Sequence, residues 1–332
     1  MRQRRLAMDS KKAISSRALV ATAQRVLLMT HERPDGDGLG SMLGLGWALE
    51  AAGKRVDYVD EDGCPANFRF LPGFEKIKSK IPAGAPAGEY DLLIALDTAD
   101  LHRLGRAGEK LPRPVDINLD HHVTNTHFGR VNLVDLEVAS TAEIVLKCLE
   151  PWGLELAQET AVCLLAGLLT DTLGFRTSST TPETLETAAG LMRAGAPLPE
   201  LLRKSLYSRS YAAARLWGAG LGRLELKGRL IHTSLTLADK QALGYTGRDD
   251  ADLVNVLTTV EGADVAVIFV EQMSGHTKIS WRANPDIDIT PVAISFGGGG
   301  HAAAAGAEVE GGLQEVRERV LEATKTYLKA QS

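Results

Sequence analysis

With 332 residues, 44% of them hydrophobic and 24% charged, the chain has the composition of a globular protein and exceeds what one core usually supports, so two domains are expected. Its formal net charge of −5 argues against a protein that gains affinity by neutralising many phosphates along a long duplex. Cys64, Cys148 and Cys163 are odd in number and lack CxxC spacing, which excludes a disulfide framework or a thiolate zinc site and fits a reducing cytoplasm.

The start, MRQRRLAMDSKKAISSRALV, is basic without an apolar segment of signal-peptide type, and reads as a solvated lead into a helix. No later apolar run reaches the ~18 residues of a membrane span, so no membrane partner is expected. RVLLMT, from Arg25 to Thr30, has the look of a buried strand, and a helix is predicted from about Leu39 to Ala52. RVDYVD, DLLIALD and VDINLD follow as short β-suited runs that end in acidic residues, with helices near Ala142–Leu149 and Glu159–Leu169. Strands alternating with helices predict an α/β fold with a parallel sheet, and ligands of such sheets gather beyond the carboxyl ends of the strands. IPAGAPAGEY is predicted to be a surface loop. A mostly helical stretch from Glu200 to about Leu221 reads as a connector, and a second set of strands starts near RLELKGRLIHTSLT. DVAVIFVEQ and HTKISWRAN are predicted to pair across a Met-Ser-Gly turn, and GGLQEVRERVLEATKTYLKA closes the chain as an amphipathic helix.

Chemistry-bearing residues fall at the ends of the early apolar runs: His31, Asp35 and Asp37 in HERPDGDGLGS, Asp97 in LLIALDTAD, Asp120, His121 and His122 in INLDHH, and Asp171 in GLLTDTLGF. Each is unremarkable alone; Asp97 by itself would read as a cap or turn former. Together they bring carboxylates and imidazoles without thiolates to one edge of a domain, a donor set suited to Mn²⁺, Mg²⁺, Fe²⁺ or Co²⁺. Two such ions ~3.5–4 Å apart can clamp both oxygens of an in-line phosphoryl displacement, so phosphate ester hydrolysis is the favoured chemistry. Carboxylates this dense would be costly to bury without a compensating cation. Farther on, SFGGGGHAAAAG places a histidine after four glycines, which are entropically expensive unless the backbone must approach something closely or take positive φ. With a helix-compatible Ala run beyond, Gly298, Gly299, Gly300 and His301 are expected to offer backbone N–H groups and an imidazole to a phosphate.

The ordered succession HxxxDGDxxGS, ALDTAD, DHH and TDT, with GGGGH following, resembles the DHH/DHHA1 phosphoesterases, and among them the nanoRNase (oligoribonuclease) and 3′-phosphoadenosine 5′-phosphate (pAp) phosphatase subgroup. The resemblance runs from about Val20 to the C-terminus. It implies a DHH domain over 1–190, a helical connector over 191–225 and a smaller α/β DHHA1 domain over 226–332, with the active site in the cleft between the domains. It further implies that His31 and Asp35 hold one metal, that Asp37, His121 and Asp171 hold the other, and that Asp97 bridges them. His122 would serve the phosphoryl group as an acid or charge stabiliser, Asp120 would orient the neighbouring histidine, and Arg282 and His301 would hold substrate. Trp281 stands where a small residue is usual and Ala283 where Ser is common, which marks the surroundings of Arg282 as different.

Implied partners are two divalent ions, with Mn²⁺ preferred over Mg²⁺ or Co²⁺, and short RNA oligonucleotides cut as by a 3′–5′ nanoRNase, or small nucleotides. A long duplex is not expected, and a homodimer is left open. A soluble pApA or cyclic-di-AMP phosphodiesterase is the alternative enzyme, and a non-catalytic nucleotide-binding protein the alternative class. The GGGGH tail speaks against a family II pyrophosphatase, and the lack of a basic channel against a RecJ-type exonuclease. Asp100 is expected to cap a turn, while His102, His127, His232 and His276, without carboxylate company, are expected to be surface or structural residues.

Overall fold

The computed structural model describes residues 16–82, 90–109, 111, 113–284 and 286–330. The basic start up to residue 15 and most of the IPAGAPAGEY stretch lie outside the described residues. Two compact units are present, Met1–Ser208 and Arg209–Ser332. The division falls inside the stretch read as a connector.

In the first unit, strands β1 (Arg25–Met29), β2 (Arg55–Val59), β3 (Ile77–Lys78), β4 (Leu92–Leu96), β5 (Ile117–Asp120) and β6 (Val131–Val134) form one sheet in the order β3-β2-β1-β4-β5-β6, parallel throughout. The central strand β4 is apolar at every position, and β1 at every position after Arg25, because both faces are covered. Leu27 and Met29 of β1 join Val59, Leu93 and Ala95 in one cluster, whereas Val26 and Leu28 pack on the other side with the larger core. That core includes the helices α1 (Gly36–Ala51), α3 (Thr141–Trp152) and α4 (Gln158–Asp171). A short α2 (Gly105–Glu109) lies between β4 and β5 in sequence. The unit ends with α5 (Pro182–Arg193), started by a Thr181–Thr184 capping box, then α6 (Leu198–Leu202) and a π-helical turn over Arg203–Tyr207.

Helix α1 is nearly all buried, and its glycines make that burial close. A Cβ at Gly36, Gly40 or Gly44 would sit 2.4, 2.5 or 2.7 Å from atoms of Thr170, Cys163 and Leu164 on α4. Helix α1 thus lies against α4 nearly backbone to backbone.

The second unit carries a mixed sheet in the order β11-β12-β10-β9-β8-β7, from β7 (Glu225–Lys227), β8 (Leu230–Leu235), β9 (Val265–Glu271), β10 (His276–Ala283), β11 (Gly299–His301) and β12 (Ala304–Glu310). β8 and β9 are parallel and the other pairs antiparallel. One core cluster joins Leu230, Val267, Phe269 and Trp281 to the C-terminal helix α11 (Leu313–Ala330); a second joins Ile231, Ile268 and Val270 to α7 (Tyr211–Leu221) and α9 (Leu253–Leu257). Helices α8 (Leu237–Leu243) and α10 (Thr290–Ser295) complete it. The Ala run after His301 is not helical: it turns at residues 302–303 and enters β12, which pairs with β10 over its length. Strand pairing outweighs the modest helix preference of Ala. No helix among the described residues is long and apolar enough to cross a membrane.

Candidate metal centre

The strand order of the first sheet reverses between β1 and β4, and crevices at such switch points collect ligands beyond the carboxyl ends of the strands. His31 follows β1, Asp97 follows β4, and Asp120, His121 and His122 end or follow β5. Asp37 comes from the first turn of α1 and Asp171 from the last residue of α4. The close packing of those two helices carries their carboxylates to the same place.

Three overlapping groups of donor atoms result, each within 4.8 Å: His31, Asp35 and Asp97; Asp37, His121 and Asp171; Asp97, His121 and His122. Asp97 divides its oxygens. Oδ2 lies 3.6 Å from His31 Nε2, and Oδ1 lies 3.6 Å from His121 Nε2 and 3.7 Å from His122 Nδ1. His31 Nε2 is 3.7 Å from Asp35 Oδ1, and His121 Nε2 is 3.1 Å from Asp171 Oδ2 and 4.0 Å from Asp37 Oδ2. Imidazoles and carboxylates in such groups can bind metal, and the absence of sulfur suits hard or borderline divalent ions.

Hydrogen bonds fix most of these groups. His31 Nδ1 lies 2.9 Å from the Glu32 carbonyl, an acceptor, and 3.1 Å from Arg103 Nη2, a donor, so either contact holds the ring with Nε2 turned toward Asp35 and Asp97. Asp35 caps α1, accepting from the N–H groups of Asp37 and Gly38. Asp37, fully buried, accepts from Thr141 N at 2.6 Å and Ala142 N at 3.1 Å, at the start of α3, and from Ser41 Oγ at 3.2 Å. Asp97 takes a left-handed φ of 55°, its N–H donates to the Leu119 carbonyl, and its Oδ1 accepts from Thr141 Oγ1 at 2.9 Å. Asp120 is bonded to His122, with Oδ1 2.7 Å from Nδ1, while its Oδ2 accepts from Asn125 Nδ2. Asp100 caps a turn through the His102 N–H.

Electrostatics point the same way. Burial disfavours a charged His31, yet the facing carboxylates of Asp35 and Asp97 push it up to about 11. His121 rises to about 10 against the same burial, through Asp171 and Asp97. Burial, then repulsion from Asp97 and Asp171, drives Asp37 well above the usual carboxylate range. Asp97 is raised by burial but held well below the ordinary range by the surrounding His31, His121 and His122. Negative charge is in surplus at this spot, so the imidazoles retain protons that a divalent cation would displace.

Comparison with known proteins places this architecture. Residues 25–168 match the DHH family N-terminal domain and residues 236–330 the DHHA1 domain. The bifunctional oligoribonuclease and PAP phosphatase NrnA of Thermus thermophilus is 36% identical over 326 residues, covering 96% of this chain and 94% of that protein. This chain belongs to the DHH/DHHA1 family. A probable bifunctional oligoribonuclease and PAP phosphatase NrnA of Streptococcus mutans is 27% identical over 291 residues, covering 87% of the chain and 91% of that protein. The crystal structure of an exopolyphosphatase-related protein from Bacteroides fragilis shares the fold, with a TM-score of 0.86 at 24% identity and 96% of each chain covered.

The remaining expected site residues lie together in the DHHA1 domain. Arg282 on β10 is opposite Ala304 of β12, which is opposite His301 of β11, so the three share one row across the sheet. Arg282 Nε donates to Asn255 Oδ1 at 3.0 Å and Nη1 to the Trp281 carbonyl. Trp281 faces the core and donates to Thr324 Oγ1; the departure at this position is a packing residue. Gly298 and Gly300 answer a need inside the hairpin: a Cβ there would meet the Gly306 carbonyl at 2.1 Å or the Ala304 carbonyl at 2.5 Å, and Gly300 has φ 139°. The Gly298 N–H is already bonded to the Ala293 carbonyl, whereas Gly299 faces open space. Thr141 and Asn125 were not singled out from sequence. A Thr at a helix start reads as a cap, and nothing in the spacing reveals a partner far away in the chain.

Proposed function

We propose that this protein is a metal-dependent phosphoesterase that hydrolyses short oligoribonucleotides and pAp, with two divalent ions, preferably Mn²⁺, held by the residues of the DHH domain. The observation that carries the reading is Asp97, whose two oxygens face two different histidine-containing groups. In this reading His31 and Asp35 hold one ion, Asp37, His121 and Asp171 the other, and Asp97 both. When bound, such ions supply Lewis-acid activation of water and neutralise charge on the phosphoryl group. Substrate class is supported by the likeness to NrnA of Thermus thermophilus over 96% of the chain.

The chain's own residues have definite tasks here. His122 is oriented through Nδ1 by Asp120, which leaves Nε2 to hold or deliver a proton. Burial lowers the His122 pKa, but the hydrogen bond to Asp120 and the charge of Asp97 outweigh it and raise the net value. Arg282 and the Gly299–His301 strand of the DHHA1 domain supply binding energy away from the reacting bond. The acidic net charge of −5 does not reward each additional phosphate, which favours a short substrate.

The test is an activity panel of pAp, pApA, cyclic-di-AMP and RNAs from dinucleotides to long strands, each with Mn²⁺, Mg²⁺ or Co²⁺, on wild type and Asp97→Ala. Turnover of pAp and short RNA by wild type alone is expected. Wild-type turnover of cyclic-di-AMP alone would move the assignment to that substrate, and near-normal turnover by Asp97→Ala with two ions still bound would refute the bridged pair.

A further inference from the structure

We propose that Thr141 is the positioning residue that sets the geometry of the metal centre, holding Asp37 through its backbone and Asp97 through its side chain. The proposal rests on the two-ion reading above. Thr141 N donates to Asp37 Oδ2 at 2.6 Å across 104 residues of sequence, and Thr141 Oγ1 donates to Asp97 Oδ1 at 2.9 Å across 44. Two carboxylates from different elements, one assigned to a single ion and the other to both, are thereby referred to one residue. Their separation is set by the few covalent bonds between its nitrogen and its hydroxyl.

The hydroxyl has a specific job because a carboxylate's terminal torsion is soft. Rotation about χ2 of Asp is broad and roughly two-fold, so packing around Cβ does not fix where the two oxygens point. A donor on Oδ1 does, and once Oδ1 is tied to Thr141, Oδ2 is the oxygen left facing His31 at 3.6 Å. The backbone alone offers little security here. Asp97 sits at φ 55°, a conformation that non-glycine residues keep only when the surroundings over-determine it.

Thr184 Oγ1 on α5 likewise donates to a distant carboxylate, Glu143 Oε1 at 3.2 Å, but two other helix threonines use their hydroxyls differently. Thr170 Oγ1 and Thr324 Oγ1 donate to the carbonyls four residues earlier, Ala166 and Val320, within their own helices. Thr141 begins α3 after the cap residue Ser140, where no earlier turn offers such a carbonyl, and its fully buried hydroxyl goes to Asp97 instead. The amide half of the arrangement is set by the fold, since the first turn of a helix has N–H groups to spare for the Asp37 carboxylate. The hydroxyl half is set by the residue type and can be removed.

The experiment compares Thr141→Val, which keeps shape without the hydroxyl, with Thr141→Ser, which keeps the hydroxyl. Mn²⁺ binding is read by calorimetry and the ion pair by the spin-coupled EPR signal of the loaded protein. Thr141→Val is expected to weaken Mn²⁺ binding by about 10–100-fold, as for other outer partners of metal ligands, and to lose the coupled signal. Thr141→Ser is expected to restore both. Wild-type Mn²⁺ affinity and coupling in Thr141→Val would overturn the proposal, as would an equal loss in a folded Thr141→Ser. If Thr141→Val does not fold by circular dichroism, Thr141→Ala replaces it in the same comparison. Uptake of a single ion by wild type would overturn the two-ion reading instead, and the affinity series for that ion would still decide the role of Thr141.

Discussion

Gly40→Ala tests whether the close approach of α1 to α4 builds the metal centre. A Cβ at Gly40 would lie 2.5 Å from the Cys163 carbonyl oxygen and 2.9 Å from Gly167 N, both backbone atoms that no rotamer change can move. The first distance is about 1 Å short of ordinary van der Waals contact, so the helices must part. Overpacking of this kind costs about 1–3 kcal/mol, and a rigid backbone neighbour argues for the upper end. Ala improves helix propensity over Gly by about 1 kcal/mol, which leaves a net loss of about 2 kcal/mol. For a unit of this size that corresponds to a fall of about 4–8 °C in Tm. The separation also moves Asp37 on α1 away from Asp171 on α4, so Mn²⁺ affinity should fall together with stability. Gly190→Ala is the control: it makes the same change within α5, where a Cβ meets nothing within 4 Å, and should gain up to about 1 kcal/mol. The measurements are thermal denaturation and Mn²⁺ calorimetry on both variants. If Gly40→Ala proves as stable as Gly190→Ala and binds Mn²⁺ like wild type, the helix contact does not set the site and the reasoning fails.

Other perturbations address separate parts of the molecule. His122→Ala should keep its ions and lose turnover by roughly 10²–10⁴, the scale for removing an acid–base group; loss of ions would make His122 a ligand. Arg282→Ala should raise KM for short oligonucleotides and spare bis-p-nitrophenyl phosphate, and equal losses on both substrates would contradict a remote binding role. His232 on β8 is buried with neither ring nitrogen bonded, so His232→Leu should add about 1–3 kcal/mol of stability, read by denaturant unfolding. Burial lowers the His232 pKa, so the unfolded chain takes up the proton first, and wild-type stability should fall as pH drops below the ordinary histidine range. The slope from this one group is at most about 1.4 kcal/mol per pH unit and should vanish in His232→Leu; an unchanged slope would assign the loss to other groups.

The elements that deliver the candidate ligands were legible because their signals are local. β4 is a continuous apolar run followed directly by Asp97, β1 is apolar after Arg25 and is followed by Thr30 and His31, and β5 alternates Ile117 and Leu119 with polar residues and ends in Asp120. β3 and β6 were not foreseen: one has two residues, and the other is a partly exposed edge strand whose VNLV lacks a full apolar run. β11 and β12 were hidden by Gly and Ala, which carry no strand preference and become strand only by pairing with β10. Helix α1 was expected to begin near Leu39 and begins at Gly36, because Asp35 caps it while also facing His31. Thr141 was out of reach for a different reason. Its significance lies in two partners distant in sequence, and only a folded chain brings them together.

The division at Ser208 and Arg209 leaves every candidate metal ligand on one side. An ion that binds the folded first unit but not its unfolded chain stabilises that unit by mass action, about 2.7 kcal/mol when its free concentration is a hundred times Kd. The second unit, with its own two cores, receives no such term. Heat capacity scans with and without Mn²⁺ should therefore resolve one endotherm that climbs with ion concentration and one that stays where it was. The protein thus carries an internal reference, so its metal loading can be read by calorimetry before any substrate is known.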